Sequence, residues 1–260
     1  MLGYIDCHLR LAPSGKYQRD DFTPEAPNLP EDLVAAMDQQ GVERGVIASS
    51  KPQDNDYVLS CQRRHPSRLA AAVNVHPHDP SALLTFKDYI SKGACGLLLD
   101  PLAQEFYDTE YGHLAPLVQE AGILDVHVQV NCRPSLGFST VEGATRLAYE
   151  FPETKFILLH AALHRYGDLL PIAADSGSKT WKNFYADLSE SVLLFRHSPQ
   201  WEGFRWTMRQ LGARHLVFGS GYPKHDLGRT IEAVRDLGFS DEEQRLIFRE
   251  NMAGILDRRD

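Results

Sequence analysis

The stretch YIDCHLR (residues 4–10) places Asp6, His8 and Arg10 at alternate positions in a largely apolar run. Successive side chains leave a β-strand on opposite faces, so this alternation predicts a strand with Asp6, His8 and Arg10 on one face. Polar groups closing an apolar strand are an informative exception to strand composition, and they point to a pocket where the strand stops.

Seven further apolar runs follow: RGVIASS (44–50), LAAAVNVHP (69–77), ACGLLLDP (94–101), ILDVHVQVN (123–131), KFILLHA (155–161), NFYADLSE (183–190) and RHLVFGSGYP (214–223). Stretches with helical patterning separate them. PEDLVAAMDQQG (30–41) is opened by Pro30 and closed by Gly41, the usual asymmetry of a helix. Others are SALLTFKDYISKG (81–93), HLAPLVQEAG (113–122) and TVEGATRLAYEFP (140–152), with LGRTIEAVRDLG (227–238) and SDEEQRLIFRENMAGIL (240–256) at the end. Eight strand–helix units predict an α/β chain folded as a (β/α)₈ barrel, one domain over residues 1–260. A doubly wound open sheet fits less well, since no G-x-G-x-x-G turn follows any strand. The longest break, LAPSGKYQRDDFTPEAPN (11–28), reads as a loop over the barrel mouth.

The 260 residues are 43% hydrophobic and 24% charged, ordinary for a globular protein with a sizeable core. Asp and Glu number 35 against 27 Lys and Arg, a net charge of −8, which argues against a nucleic-acid partner. No signal peptide and no apolar run of membrane-spanning length stand out. The four cysteines, Cys7, Cys61, Cys95 and Cys132, form no CxxC pair, which suits a reducing, cytoplasmic setting. Trp201, Phe204, Trp206 and Met208 are assigned by default to core packing, with a pocket wall or a contact in a homo-oligomer as alternatives.

In such barrels the working residues sit at the C-terminal strand ends and point inward. His76 lies near the end of the third predicted strand and Asp100 ends the fourth. His127, Gln129 and Asn131 share a face of the fifth, with Val126, Val128 and Val130 towards the helices. Phe156, Leu158 and His160 share a face of the sixth. Asp187 and Ser189 lie close together on the seventh. Each alone is weak, but several strands carry such groups at the same end, so a functional pocket is expected there.

Taken together, these segments resemble the amidohydrolase superfamily, in its amidohydrolase-related branch of small-molecule decarboxylases and lactonases. IDCHLR matches the first-strand motif and ILLHAAL a sixth strand ending in histidine. NFYADLS matches an Asn-x-Tyr-x-Asp-Leu-Ser strand, and GARHLVFGSGYP an eighth strand that usually reads Gly-Ser-Asp-x-Pro. The tail SDEEQRLIFRENMAGIL resembles the branch's closing helix. The resemblance implies a distorted (β/α)₈ barrel acting on small organic molecules. It also implies zinc held by two first-strand histidines, a fifth-strand histidine and an eighth-strand aspartate, of which only His8 is kept. Arg10 stands at the second histidine, Gln129 at the fifth-strand position and Gly221 at the aspartate.

A catalytic zinc needs three protein ligands and an open position. Guanidinium has no lone pair for a metal, and glycine supplies no donor. No metal and no cofactor are therefore expected, and Arg10 puts a fixed positive charge where the cation would sit. The first reading is a metal-independent enzyme on a carboxylated, anionic small molecule, acting by lactone or amide hydrolysis, decarboxylation or dehydration. His8, His160 and Asp100 are its candidate catalytic groups. Arg10, Gln129, Asn131, His76, Asp187 and Ser189 are its candidate substrate contacts. One alternative is a metal hydrolase with ligands rearranged among His8, His76, His127, His160 and Asp100. Another is a non-catalytic descendant that binds a metabolite or a protein. A nucleophilic Cys132 has no adjacent histidine to support it.

Overall fold

A computed structural model describes residues 3–11, 13, 29–133, 138, 140–174 and 181–257. Most of the predicted loop at 11–28 lies outside these residues. Eight parallel strands run in sequence order: β1 (Tyr4–Arg10), β2 (Val42–Ala48), β3 (Leu69–Val73), β4 (Gly96–Leu99), β5 (His127–Asn131), β6 (Phe156–Leu159), β7 (Phe184–Asp187) and β8 (Leu216–Val217). Helices fill the connections, as parallel neighbours require a crossover. The segment after β8 returns against β1. Cys7 N donates to Phe218 O at 2.9 Å, Gly221 N to His8 O at 2.8 Å and Arg10 N to Tyr222 O at 2.9 Å. Those bonds close the barrel as a single domain.

Alternation along the strands sorts the apolar residues into two cores. Leu97 and Leu99, Phe156 and Leu158, and Val128 and Val130 pack outward with Leu33, Met37 and Phe86 of the helices. Ile5, Cys7, Val46, Ala48, Ala70, Ala72, Leu98, Ile157, Leu159 and Val217 fill the interior, with Met252 and Ile255 of the closing helix. That closing segment starts at a capping box in which Ser240 and Glu243 satisfy each other's backbone N–H groups. Among the described residues no helix is long and apolar enough to cross a membrane.

Two strand ends depart from simple alternation, and both departures shape the site. Asp6 pairs with Gly45 and Leu9 with Ile47, so three steps on β1 face two on β2. This bulge breaks the expected common face of Asp6, His8 and Arg10. Cys7 enters the interior core and Leu9 the outer one. Asp6 instead bridges the barrel wall, with Oδ1 accepting from His8 N at 2.8 Å and Ser220 N at 3.1 Å. Burial raises its carboxyl to about 7 against those hydrogen bonds.

The second departure follows β6. Phe156 and Leu158 belong to the outer core, so His160 does not share an inward face with them. It reaches the barrel mouth by a left-handed turn, with φ of 64° at His160, 42° at Ala161, 62° at Ala162 and 48° at Leu163. Left-handed backbone costs an L-residue about 1–2 kcal/mol, so neighbouring contacts must hold it. Ser191 Oγ donates to His160 O, and Asp187 Oδ2 accepts from His160 N at 3.3 Å.

His127 begins β5 beside Gly96, at the floor of the barrel and far from its mouth. Burial, helped by the Lys155 ammonium, pushes its imidazole down to about 4. Above pH 6.5 it is neutral folded or unfolded and adds no pH dependence. Between 6.5 and 4 only the unfolded chain takes the proton, so acidification costs stability, up to about 3 kcal/mol from this residue. Urea unfolding at several pH values should show that loss in the wild type, and His127→Gln should lose less over the same interval.

Candidate active site

The β1 bulge, the left-handed turn after β6 and the end of β7 bring His8, His160, Asp187 and Ser189 into one buried cluster. Asp187 Oδ2 lies 3.0 Å from His8 Nδ1 and accepts from the Ser189 hydroxyl, and Oδ1 accepts from Ser189 N at 2.9 Å. Ser189 Oγ also lies 2.9 Å from His8 Nδ1 and 3.2 Å from His160 Nδ1. The two imidazoles stand with centroids 4.8 Å apart. On its other side His8 Nε2 accepts from Arg10 Nε at 3.1 Å. An arginine can only donate, so that contact fixes Nε2 as the acceptor and Nδ1 as the protonated nitrogen, aimed at Asp187.

The electrostatics follow. Burial lowers the His8 imidazole and the Arg10 charge lowers it further, against the pull of Asp187. Burial lowers His160 well below the ordinary imidazole range. Both rings are thus neutral near pH 7. Burial alone would raise Asp187, but its hydrogen bonds with His8 and Ser189 outweigh it and keep the carboxylate ionised.

Above this cluster opens a cavity of about 290 Å³, lined by His8, Arg10, Asp100, Asn131 and His160 together with Arg133, Glu190, Gly221, Lys224 and His225. Asp100 ends β4 and caps the short helix Pro101–Gln104 through Ala103 N at 3.3 Å. Asn131 ends β5 with Oδ1 buried and unbonded. Asp187 and Ser189 lie behind the wall, wholly buried.

Two expected substrate contacts are placed elsewhere. Gln129 points across the barrel interior and donates to Cys7 O at 2.8 Å, below the cavity. His76 accepts from His78 N at Nδ1 and packs against His78 and Phe106, outside the lining. Cys132 is buried in the outer core. Trp206 is 55% exposed while Phe204 and Met208 are buried, so that helix face packs as a core face and Trp206 does not belong to it. Arg133, Glu190, Lys224 and His225 line the cavity without any signal in the sequence pattern. They sit after the strand ends, where no periodic pattern marks them.

A divalent metal of the kind the resemblance implies would need donors that most of the expected positions lack. Arg10 and Gly221 offer no lone pair, Gln129 is bonded to Cys7, and His127 and His76 are remote. Among the described residues, only His8, His160 and Asp187 bring three ligand atoms within 4.8 Å of one another. The hydroxyl of Ser189 lies at hydrogen-bond distance from His8 Nδ1, His160 Nδ1 and Asp187 Oδ2. Zinc would need ligands at about 2.0–2.2 Å with an open fourth position. A metal held by these three residues would have to displace that hydroxyl.

The sequence profile of an amidohydrolase family matches residues 5–257. No curated protein sequence matches the chain. Among solved structures, the chain is similar to a protein from Pseudomonas putida described as a 2-pyrone-4,6-dicarboxylic acid hydrolase, at 20% identity over 98% of both chains with a TM-score of 0.73. It is similar to an uncharacterised TIM-barrel protein from Bordetella bronchiseptica, at 17% identity over 98% of both chains with a TM-score of 0.79. A third is a dihydroxybenzoic acid decarboxylase from Polaromonas sp. JS666 holding manganese and 2-nitroresorcinol, at 16% identity over 98% of this chain and 97% of that one, TM-score 0.73. At these identities the likeness is one of fold.

Gly219, two residues after β8, lies close against the cluster. A Cβ there would stand 2.3 Å from Asp187 Oδ1 and 2.8 Å from His8 Cβ, and neither group can withdraw without breaking the network. Gly219→Ala should therefore destabilise the chain by about 1–3 kcal/mol, read as a lowered urea midpoint. Gly112→Ala, with nothing within 4 Å of the added carbon, should not.

Proposed function

This chain belongs to the amidohydrolase family, and from that premise we propose that it is an enzyme acting on a carboxylated small molecule at the barrel mouth without a bound metal. The contact of Arg10 Nε with His8 Nε2 at 3.1 Å carries this reading. It sets a permanent cation against one of the two His8 nitrogens. A guanidinium in a partly desolvated cavity is suited to a substrate carboxylate or to a developing oxyanion.

Of the two histidines, His160 is the better proton carrier. Both nitrogens of His8 are engaged, by Arg10 and by the Asp187–Ser189 pair. His160 lines the cavity and is neutral, so it can take a proton as a general base and return it as an acid. Asp187 and Ser189 hold both rings. Asp100 and Asn131, at the ends of neighbouring strands, offer acceptors to hydroxyl or amino groups of the substrate. This set suits hydrolysis of a lactone or amide, decarboxylation, or dehydration of a carboxylated compound. The four free thiols support a reducing, cytoplasmic setting.

A second reading keeps a metal at His8, His160 and Asp187, favoured by the proximity of their ligand atoms, and requires Ser189 Oγ to leave. Elemental analysis of protein purified without chelator separates the two, with metal well below one equivalent per chain expected here. A stoichiometric divalent ion lost in Ser189-independent fashion on chelation would overturn the metal-free reading. On a substrate found by screening hydroxybenzoates, pyrone carboxylates and lactones, His160→Gln should lower kcat about 10²–10⁴-fold. Arg10→Ala should lower kcat/KM about 10²-fold, the scale of a lost buried charge contact. Because burial depresses His160, the acid limb of kcat/KM should fall well below pH 6.5. A limb at the ordinary imidazole value would contradict its role.

A further inference from the structure

Ser189 touches three polar groups at once, and a hydroxyl has only one proton to give. Its Oγ donates to Asp187 Oδ2 and lies 2.9 Å from His8 Nδ1 and 3.2 Å from His160 Nδ1. Asp187 is ionised and wholly buried, so it can only accept. The Ser189 proton therefore belongs to the carboxylate, and towards both imidazoles the oxygen acts as an acceptor. For His8 this agrees with the donation from Arg10 Nε to Nε2 at 3.1 Å, which already places the proton on Nδ1.

His160 has no such arginine bond, and its tautomer is decided on the Nδ1 side. Besides Ser189 Oγ, that nitrogen faces Glu190 Oε2 at 3.4 Å, a carboxylate oxygen that already accepts from the Arg133 guanidinium. Facing two acceptors, Nδ1 carries the hydrogen and Nε2 is left with its lone pair. The backbone from which the ring hangs is pinned, since His160 N donates to Asp187 Oδ2 at 3.3 Å and Ser191 Oγ donates to His160 O. His160 also lines the cavity, while Ser189 lies wholly buried behind its wall. Nδ1 is thus the nitrogen anchored to the wall, and Nε2 is the one left for the cavity.

We propose that Ser189 is a positioning residue that fixes His160 as the Nδ1–H tautomer, so that the bare Nε2 is the base presented to the cavity. This rests on the reading of His160 as the proton carrier. The proton taken up at Nε2 returns from the same nitrogen to the leaving atom. Nδ1–H stays on Ser189 throughout, and no proton passes through Asp187. Both rings then share one tautomer with different uses: His8 gives its Nε2 lone pair to Arg10, and His160 keeps its own for the substrate.

Long-range proton–nitrogen correlation spectra of the full chain, isotopically labelled in its histidine nitrogens and recorded near neutral pH, test this. The bare and the protonated nitrogen of a neutral imidazole resonate far apart, and the His160 signals are identified by their loss in His160→Gln. The wild type should show His160 with Nδ1 protonated and Nε2 bare. Ser189→Ala removes the acceptor and should move the tautomer ratio of His160 about tenfold towards Nε2–H, the scale of one hydrogen bond. Ser189→Thr, which keeps a hydroxyl, should preserve the wild-type ratio. Glu190→Gln, altered only at the longer contact, should preserve it too. Nε2–H in the wild type, an unchanged ratio in folded Ser189→Ala, or a switch in Glu190→Gln would each overturn the role of Ser189, and none of these readings needs a substrate. On a substrate of the proposed class, Ser189→Ala should lower kcat about 10–100-fold with little change in KM. An altered tautomer with unchanged kcat would instead overturn the proton-carrier reading, and the use of Nε2 with it.

Discussion

The barrel mouth is organised by one buried carboxylate. Asp187, at the end of β7, engages the His8 imidazole, the His160 backbone N–H, and both the N–H and the hydroxyl of Ser189. A charge taken out of water is tolerated only when such partners replace its hydration. Here the partners come from β1, from the turn after β6 and from β7 itself, so satisfying the charge also locks three chain segments together. Strain in the left-handed turn at His160 is held by the same contacts. The precision of the site thus comes from the cost of leaving Asp187 unsatisfied.

Arginine beside the histidine shapes what such a cluster can do. A divalent ion would draw the histidine lone pairs towards itself and leave a position for water. Arg10 offers its N–H to His8 instead and keeps its charge at every accessible pH. The cluster becomes a fixed dipolar array of guanidinium, neutral imidazole and carboxylate. Ser189 completes it with a hydroxyl at hydrogen-bond distance from His8 Nδ1, His160 Nδ1 and Asp187 Oδ2.

Around this array the cavity wall carries its own counter-charges. Glu190 is paired with Arg133 and Lys224, and Asp100 serves as a helix cap while facing the same space. The mouth is therefore polar without being strongly basic, consistent with the acidic character of the chain. Its chemistry depends on which charges are already matched, more than on how many there are.

The eight strands and most of the intervening helices are legible in the sequence because they obey local rules: alternation at period two, apolar runs bounded by Pro and Gly, and a Ser–Glu capping box. The same rules find His8, Arg10, Asp100, Asn131 and His160 as polar groups at strand ends. They place Gln129 and His76 in the pocket as well, and the fold does not, since distance along a strand says little about depth in a closed barrel. The bulge at Cys7–His8 and the left-handed turn at His160 depend on contacts with residues more than 25 positions away, and no local pattern encodes them. Glu190, Arg133 and Lys224 meet only because three separate connections end at one rim. The sequence by itself determined the barrel and the presence of Arg10 and Gly221 at the strand ends, because both are statements about residue type and order. Only the tertiary structure decided which nitrogen of His8 faces Arg10, where Ser189 stands and which cations are already paired, because those follow from through-space electrostatics between distant parts of the chain.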